Sequence, residues 1–176
     1  MGSKSGYFEQ HADGCQRPMG GECSCIPTRF PPSKTAQKTL TIYTASRASI
    51  PARSAMWRQL RASGWPIIST WIDEAGDGET ADFTELWERI FNEILLADAL
   101  LLYAEAGDFP LKGALIETGI AVGMRKPVVV CLPGVTLSGR TYRPIGSWTR
   151  HPSVKVVSTL SAAHELLFTG ELNSYV

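Results

Sequence analysis

From residue 39 onward the chain alternates between two hydrophobic periods. "TLTIYTAS" (39–46) is a short apolar run of strand character. "IPARSAMWRQLRASG" (50–64) reads as a helix: Pro51 suits its first turn, Met56, Trp57 and Leu60 line one face, and Gly64 supplies a stop. "WPIISTWI" (65–72) reads as a second strand, and "DEAGDGETAD" (73–82) as a loop. In that loop Asp73, Glu74, Asp77 and Glu79 form an acidic lid, read as solvated. "DFTELWERIFNEILLAD" (82–98) is an amphipathic helix with Asp82 and Glu85 as a capping box. Phe83, Leu86, Ile90, Ile94 and Leu95 make its apolar stripe.

The pattern then repeats. "ALLLYAE" (99–105) is continuously apolar, as expected of a strand buried on both faces. A helix over 113–125, a strand "PVVVCL" (127–132), a long polar connection (133–151), a strand "SVKVVS" (153–158) and a helix "SAAHELLFTG" (161–170) capped by Ser161 complete the chain. Strand and helix alternate at the spacing of crossover units. This predicts an α/β domain over 39–176: an open, flavodoxin- or Rossmann-like parallel sheet of about five strands, with helices on both faces. In such sheets ligands bind outside the carboxyl ends of the strands. The candidate loops are those after residues 45, 72, 105 and 132.

Residues 1–38 carry Gly, Pro, Ser and Lys without apolar periodicity and are expected to form a flexible, disordered extension. Within it His11, Cys15, Cys23 and Cys25 are four soft ligands that could hold zinc. Their spacing matches no common zinc module, and the expectation is a reduced tail with no metal. Cys131 lies in an apolar run and reads as a buried small hydrophobe. Lys plus Arg and Asp plus Glu both total 17, which gives no electrostatic footprint for nucleic acid or an anionic membrane. No apolar run is long enough to span a bilayer, and the first residues have no secretory core, so a cytoplasmic location is expected. P-loop and dinucleotide motifs are absent, no Ser-His-Asp pattern is credible, and no cofactor is expected.

One acidic residue breaks an apolar stretch. In "KGALIETGIAVGMRKPVVVCLPG" (112–134) the helix is apolar nearly all round, which predicts burial, yet it contains Glu117. Glu117 sits one turn in from Gly113, near the ligand edge, with the positive end of the helix dipole in its favour. Such a carboxylate can be tuned toward a nucleophile or base, or it can simply pair with a basic neighbour. Spacing alone leaves both open.

Three stretches together resemble the nucleoside 2-deoxyribosyltransferase-like family, which includes deoxynucleoside 5′-monophosphate N-glycosidases. They are "IYTASR" (42–47), "LADALLLYAEAG" (96–107) and "KGALIETGIAVGMRKPVVVCL" (112–132), the last like the family's G-x-x-x-E-x-G-x-A…K-x-V pattern. The similarity spans roughly residues 40–170. It implies that Glu117 attacks the anomeric carbon and forms a covalent glycosyl-enzyme, with the Tyr43 hydroxyl near it. Gly113 and Gly119 would flank the sugar. The 45–49 loop, with Ser46 and Arg47, would meet the 5′ end of a nucleotide, Arg47 as a phosphate ligand. Asp98 would open the central strand, either touching substrate or anchoring the strand. Trp71 could stack on a base or belong to the core. The family also completes its pocket from a neighbouring chain. This implies a homo-oligomer, in which the 133–151 connection, with Ser138, Arg140 and Ser147, could cross a two-fold interface.

The family's second carboxylate, which assists the leaving base, is expected at position 90, where this chain has Ile90. Glu93, three residues on, shares that helix face and is the substitute candidate. Three functions follow as expectations: cleavage or transfer at a nucleoside or nucleotide N-glycosidic bond, a catalytically impaired nucleotide-binding module, and an NAD-cleaving glycosidase.

Overall fold

The computed structural model describes residues 40–74 and 81–169. The 1–38 extension with its His11, Cys15, Cys23 and Cys25, and the lid residues Asp77 and Glu79, lie outside the described residues.

Four parallel strands form one sheet in the order β1 (Ile42–Ala45), β2 (Ala99–Tyr103), β3 (Val128–Cys131) and β4 (Val154–Val157). β1, β2 and β3 are buried along their whole length, as their unbroken apolar sequence requires. The helices are α1 (Pro51–Ala62), α2 (Phe83–Leu96), α3 (Gly113–Gly123) and α4 (Leu160–Phe168). α2 packs beside α3. Trp65, just beyond α1, meets His164 and Phe168 of α4 with ring centroids 5.0 and 5.9 Å apart. Among the described residues, no helix is long and apolar enough to cross a membrane.

The expected second strand, 65–72, is reduced to one bridge, Ile67 against Ile42, on the outer side of β1. The reason is local. The Ser69 hydroxyl takes the Thr44 N–H at 2.6 Å, where a ladder would use a carbonyl. The Trp71 indole donates to the Thr44 carbonyl at 2.8 Å, and the chain coils into a 3-10 turn at Trp71–Asp73. The sheet therefore has four full strands, with a vestige of a fifth beside β1. That vestige still matters to topology. The chain leaves β1 toward Ile67 and then returns to β2 on the other side, so the strand order reverses between β1 and β2. Ligand crevices open at such a switch point.

Other expectations shift by small amounts. α4 is capped by Thr159, whose hydroxyl accepts Ala162 N–H at 3.1 Å, rather than by Ser161. Asp82 caps α2 by accepting from Thr84 and Glu85 N–H. Of the α2 stripe, Ile90 and Ile94 are buried, whereas Phe83 and Leu95 are exposed. α3 is not buried all round, because Ile116 stands out at 56% exposure.

Asp98 lies at the amino edge of the sheet, away from the switch-point crevice. Its Oδ2 accepts from Thr41 N–H at 2.9 Å and from the Thr41 hydroxyl at 2.8 Å, which fastens the start of β1 to the start of β2. These bonds support the anchoring reading of Asp98. Asp98→Ala is expected to lower stability in a urea titration by about 1–3 kcal/mol, because partly buried donors lose their acceptor. Nucleoside affinity should stay unchanged. A weakened affinity with intact stability would place Asp98 in the site after all.

Candidate active site

Tyr43 of β1 and Glu117 of α3 come close to each other. Tyr43 is fully buried in the middle of β1, and Glu117 is 8% exposed one turn into α3. Lys112, just before α3, holds a left-handed φ of 41°, a conformation that non-glycine residues rarely adopt and that clusters at functional sites. Burial pushes the Glu117 carboxyl up to about 8, with the Tyr43 hydroxyl opposing that rise and the Glu93 charge adding to it. The Tyr43 phenol is raised well above its usual range by burial and then by the charges of Glu117 and Glu93, with Arg89 acting the other way. The hydroxyl is near enough to favour the carboxylate, but the two lack the geometry of a full hydrogen bond. Tyr43 Oη and Glu117 Oε2 are both buried without a partner. Unpaired polar atoms of this kind are uncommon in folded proteins and call for an explanation.

α2, packed beside α3, carries the neighbouring polar groups. Ile90 is buried at 4% exposure where the resemblance anticipates a carboxylate. Glu93 is buried too, but its oxygens accept from Thr70 N–H at 3.1 and 3.2 Å and from the Thr70 hydroxyl. It acts on Tyr43 and Glu117 through its charge while its hydrogen-bonding capacity goes to Thr70. One turn nearer the ligand edge, Arg89 Nη2 pairs with Glu74 Oε1. Glu74 therefore is not part of a solvated lid; its side chain is 14% exposed. The 3-10 turn is thus held at Thr70 and Glu74 by Glu93 and Arg89, a four-residue spacing matched on both elements. Trp87, half-buried, borders Glu117: a Cβ at Gly113 would lie 3.8 Å from Glu117 Oε1 and 4.0 Å from the Trp87 ring.

Sequence reasoning missed Arg89, Glu74 and Trp87. A basic and an acidic residue on the inward flank of an amphipathic helix and its preceding loop were the available signal, and they looked like ordinary surface charge.

The Ser46 hydroxyl accepts from the Trp57 indole at 3.0 Å. Arg47 reaches the Asp108 carbonyl at 3.4 Å and the Ser49 hydroxyl at 3.2 Å. Arg53, beside them, forks onto the buried Asp108 carboxylate with two 2.9 Å bonds and meets Glu105 at 2.9 Å. This cluster, also unforeseen, ties the β1–α1 loop to the β2–α3 loop and sets where Arg47 stands.

Several candidates are not brought to Tyr43 and Glu117. Gly119 faces open space on the exposed side of α3. Trp71 is 4% exposed with its indole N–H spent on Thr44, so it packs in the core rather than offering a face to a base. In the 133–151 connection the Ser138 hydroxyl contacts Thr141 and accepts Arg143 N–H, shaping its own loop. A separate cleft of about 430 Å³, lined by Leu132, Val135, Leu137, Val156 and Ala162, opens near β3 and β4. It does not border Glu117, and apart from Ser158 its lining is apolar. Among the described residues, no cluster of His, Cys, Asp and Glu could hold a metal ion.

No family model and no curated protein sequence matches the chain. Solved structures do. A 2-desoxiribosyltransferase from Leishmania mexicana aligns over 78% of this chain and 100% of its own, at 18% identity and a TM-score of 0.51. A CMP N-glycosidase from Clostridium botulinum aligns over 77% of this chain and 99% of its own, at 13% identity and a TM-score of 0.44. The chain thus shares its fold with a 2-deoxyribosyltransferase, the family that its 112–132 stretch resembles.

Proposed function

We propose that the protein breaks, or transfers across, the N-glycosidic bond of a nucleoside or nucleotide, with Glu117 as nucleophile. The observation that carries this reading is a buried carboxyl, Glu117, whose Oε2 lacks a partner, close to a buried Tyr43 hydroxyl that also lacks one. A Glu117 oxygen bonds to the anomeric carbon as the carbon–nitrogen bond breaks, and the base departs with the electron pair. Water or a second base then attacks the same carbon and restores the carboxylate. Arg47 stands where a 5′-phosphate would meet the 45–49 loop. The test is incubation with nucleosides, deoxynucleotides and NAD, followed by chromatography for free base. Release from NAD alone would move the assignment to an NAD-cleaving glycosidase.

A second reading is favoured by Ile90. An apolar residue replaces the leaving-group carboxylate, and Glu93 is engaged with Thr70. A general acid contributes about 10²–10⁴-fold, so a chain lacking one can bind nucleotide with little turnover. Binding of the panel without base release would establish this reading and overturn the first.

The reading also carries a partner. α2 and α3 leave Phe91, Leu95, Leu96 and Ile116 exposed at 46–73%, and a second copy of the chain would cover them. The expected result in light scattering is a dimer or larger. A single 19.2 kDa species at working concentration would remove the assembly from the proposal.

A further inference from the structure

Four charged side chains gather where the β1–α1 loop meets the β2–α3 loop: Arg47, Arg53, Glu105 and Asp108. Two are cations and two are anions, so two matched pairs would be the ordinary outcome. The structure divides them otherwise. Arg53 takes both carboxylates. Its Nε and Nη2 fork onto the Asp108 carboxylate at 2.9 Å each, and Nη2 also meets Glu105 Oε2 at 2.9 Å. The Arg53 side chain is 11% exposed and that of Asp108 1%. In so dry a setting a charged fork is strong and fixed in direction. Tyr103 supports it from β2: its hydroxyl donates to Glu105, and its ring centre lies 5.1 Å from the Arg53 guanidinium.

Arg47 is left with neutral acceptors. Its Nε donates to the Ser49 hydroxyl at 3.2 Å and its Nη1 to the Asp108 backbone carbonyl at 3.4 Å. Among the described residues, no carboxylate pairs with it. Asp108 thus serves two arginines with two different groups, its carboxylate to Arg53 and its carbonyl to Arg47. The carbonyl orients Arg47 without cancelling its charge. A guanidinium has five N–H donors and stays charged at any working pH. The Nη2 edge of Arg47 has no protein partner among the described residues, which suits it to the paired oxygens of a phosphate.

We infer that Arg53 is a positioning residue for phosphate recognition: by holding Glu105 and Asp108 to itself, it keeps Arg47 free to bind the 5′-phosphate of a nucleotide. The inference rests on the proposed N-glycosidic reading, in which Arg47 meets the 5′ end, and names what makes that arginine available. Arg53 acts through Arg47 and not on the substrate. Without Arg53 the Asp108 carboxylate would be withdrawn from water with no cation, which is strongly unfavourable. Arg47, already bonded to the carbonyl of that residue, is placed to turn inward and replace the lost cation. Its charge would then be spent inside the protein.

Binding is read in the Glu117→Gln protein, so that turnover does not intrude. The probes are the four common deoxynucleosides and their 5′-monophosphates, titrated by calorimetry. The quantity of interest is the phosphate increment, the ratio of affinities with and without the phosphate. A merely structural loss weakens both probes alike and leaves that ratio unchanged. With Arg47 and Arg53 present the increment should be about 10–100-fold, the scale of hydrogen bonds between charged groups. Arg47→Gln should bring it close to one. Arg53→Gln should remove most of it while deoxynucleoside affinity is largely kept. Adding Asp108→Asn to Arg53→Gln should restore it, because the buried competitor for Arg47 is gone. Arg53→Lys keeps a charge but cannot fork, so it should give a partial loss, and it covers the case in which Arg53→Gln does not fold. An increment left at its full value by a folded Arg53 variant, or not restored by Asp108→Asn, would overturn the inference. If deoxynucleosides bind and wild type releases base, yet the phosphate adds nothing, this inference alone falls. If no probe binds and wild type releases no base, the N-glycosidic reading falls and takes this inference with it.

Discussion

If Glu117 is the nucleophile we propose, Glu117→Ala is expected to abolish base release, with kcat falling on the order of 10⁴-fold or more, the scale seen when a nucleophile is removed. Glu117→Gln does the same with less disturbance of shape. Nucleoside affinity should be largely kept in both, because in the proposed mechanism the carboxylate acts only on the reacting carbon. Single-turnover mixing followed by mass spectrometry supplies the second readout. Wild type should carry a glycosyl adduct on the peptide containing Glu117, and neither variant should carry one. Base release that survives Glu117→Ala would end the nucleophile assignment. The same burial shapes the pH profile. With its proton held up to about pH 8, Glu117 in the free protein is a poor nucleophile at neutral pH, so kcat/KM should climb with pH until that value is passed.

The second large effect is on stability. In the folded chain Glu117 keeps its proton up to about pH 8, against an ordinary value of 4.5. Between those limits the folded state binds more protons than the unfolded state, so stability falls as pH rises. The favourable contribution is complete below about 4.5 and gone above about 8. Each unit of difference corresponds to about 1.4 kcal/mol. Glutamine resembles the protonated acid and has nothing to ionise. Glu117→Gln should match wild type at pH 5 and exceed it by roughly 3–5 kcal/mol at pH 9 in urea denaturation. A difference that does not change with pH would show that Glu117 is solvated in solution.

Much of the fold was legible because the apolar runs are long and unbroken. β2 and β3 each read as continuous hydrophobic segments, and α2 has both an amphipathic stripe and an Asp82 cap. Residues 65–72 misled because Ile67, Ile68 and Ile72 look like a strand, whereas the deciding contacts come from two side chains, Ser69 and Trp71, that reach the backbone of β1. Propensity carries no information about that kind of substitution. The Glu117 position followed from one acid in an apolar helix. Arg89 and Glu74 stayed hidden because their meeting depends on how the 3-10 turn folds back on α2. Asp98 was left open between substrate contact and strand anchoring because sequence shows that it precedes a strand but not which partner its carboxylate meets.

The same two side chains on β1 have a bearing on how the protein behaves when crowded. An outer strand normally presents a row of free amide and carbonyl groups, which is a template for a foreign strand and a starting point for fibrils. On β1 the Thr44 amide is closed by Ser69 and the Thr44 carbonyl by Trp71, both internal to the chain. A visiting strand would find no pairing partner there. A truncated second strand, which looks like a weakness in the sheet, therefore also serves as a barrier to aggregation along that margin.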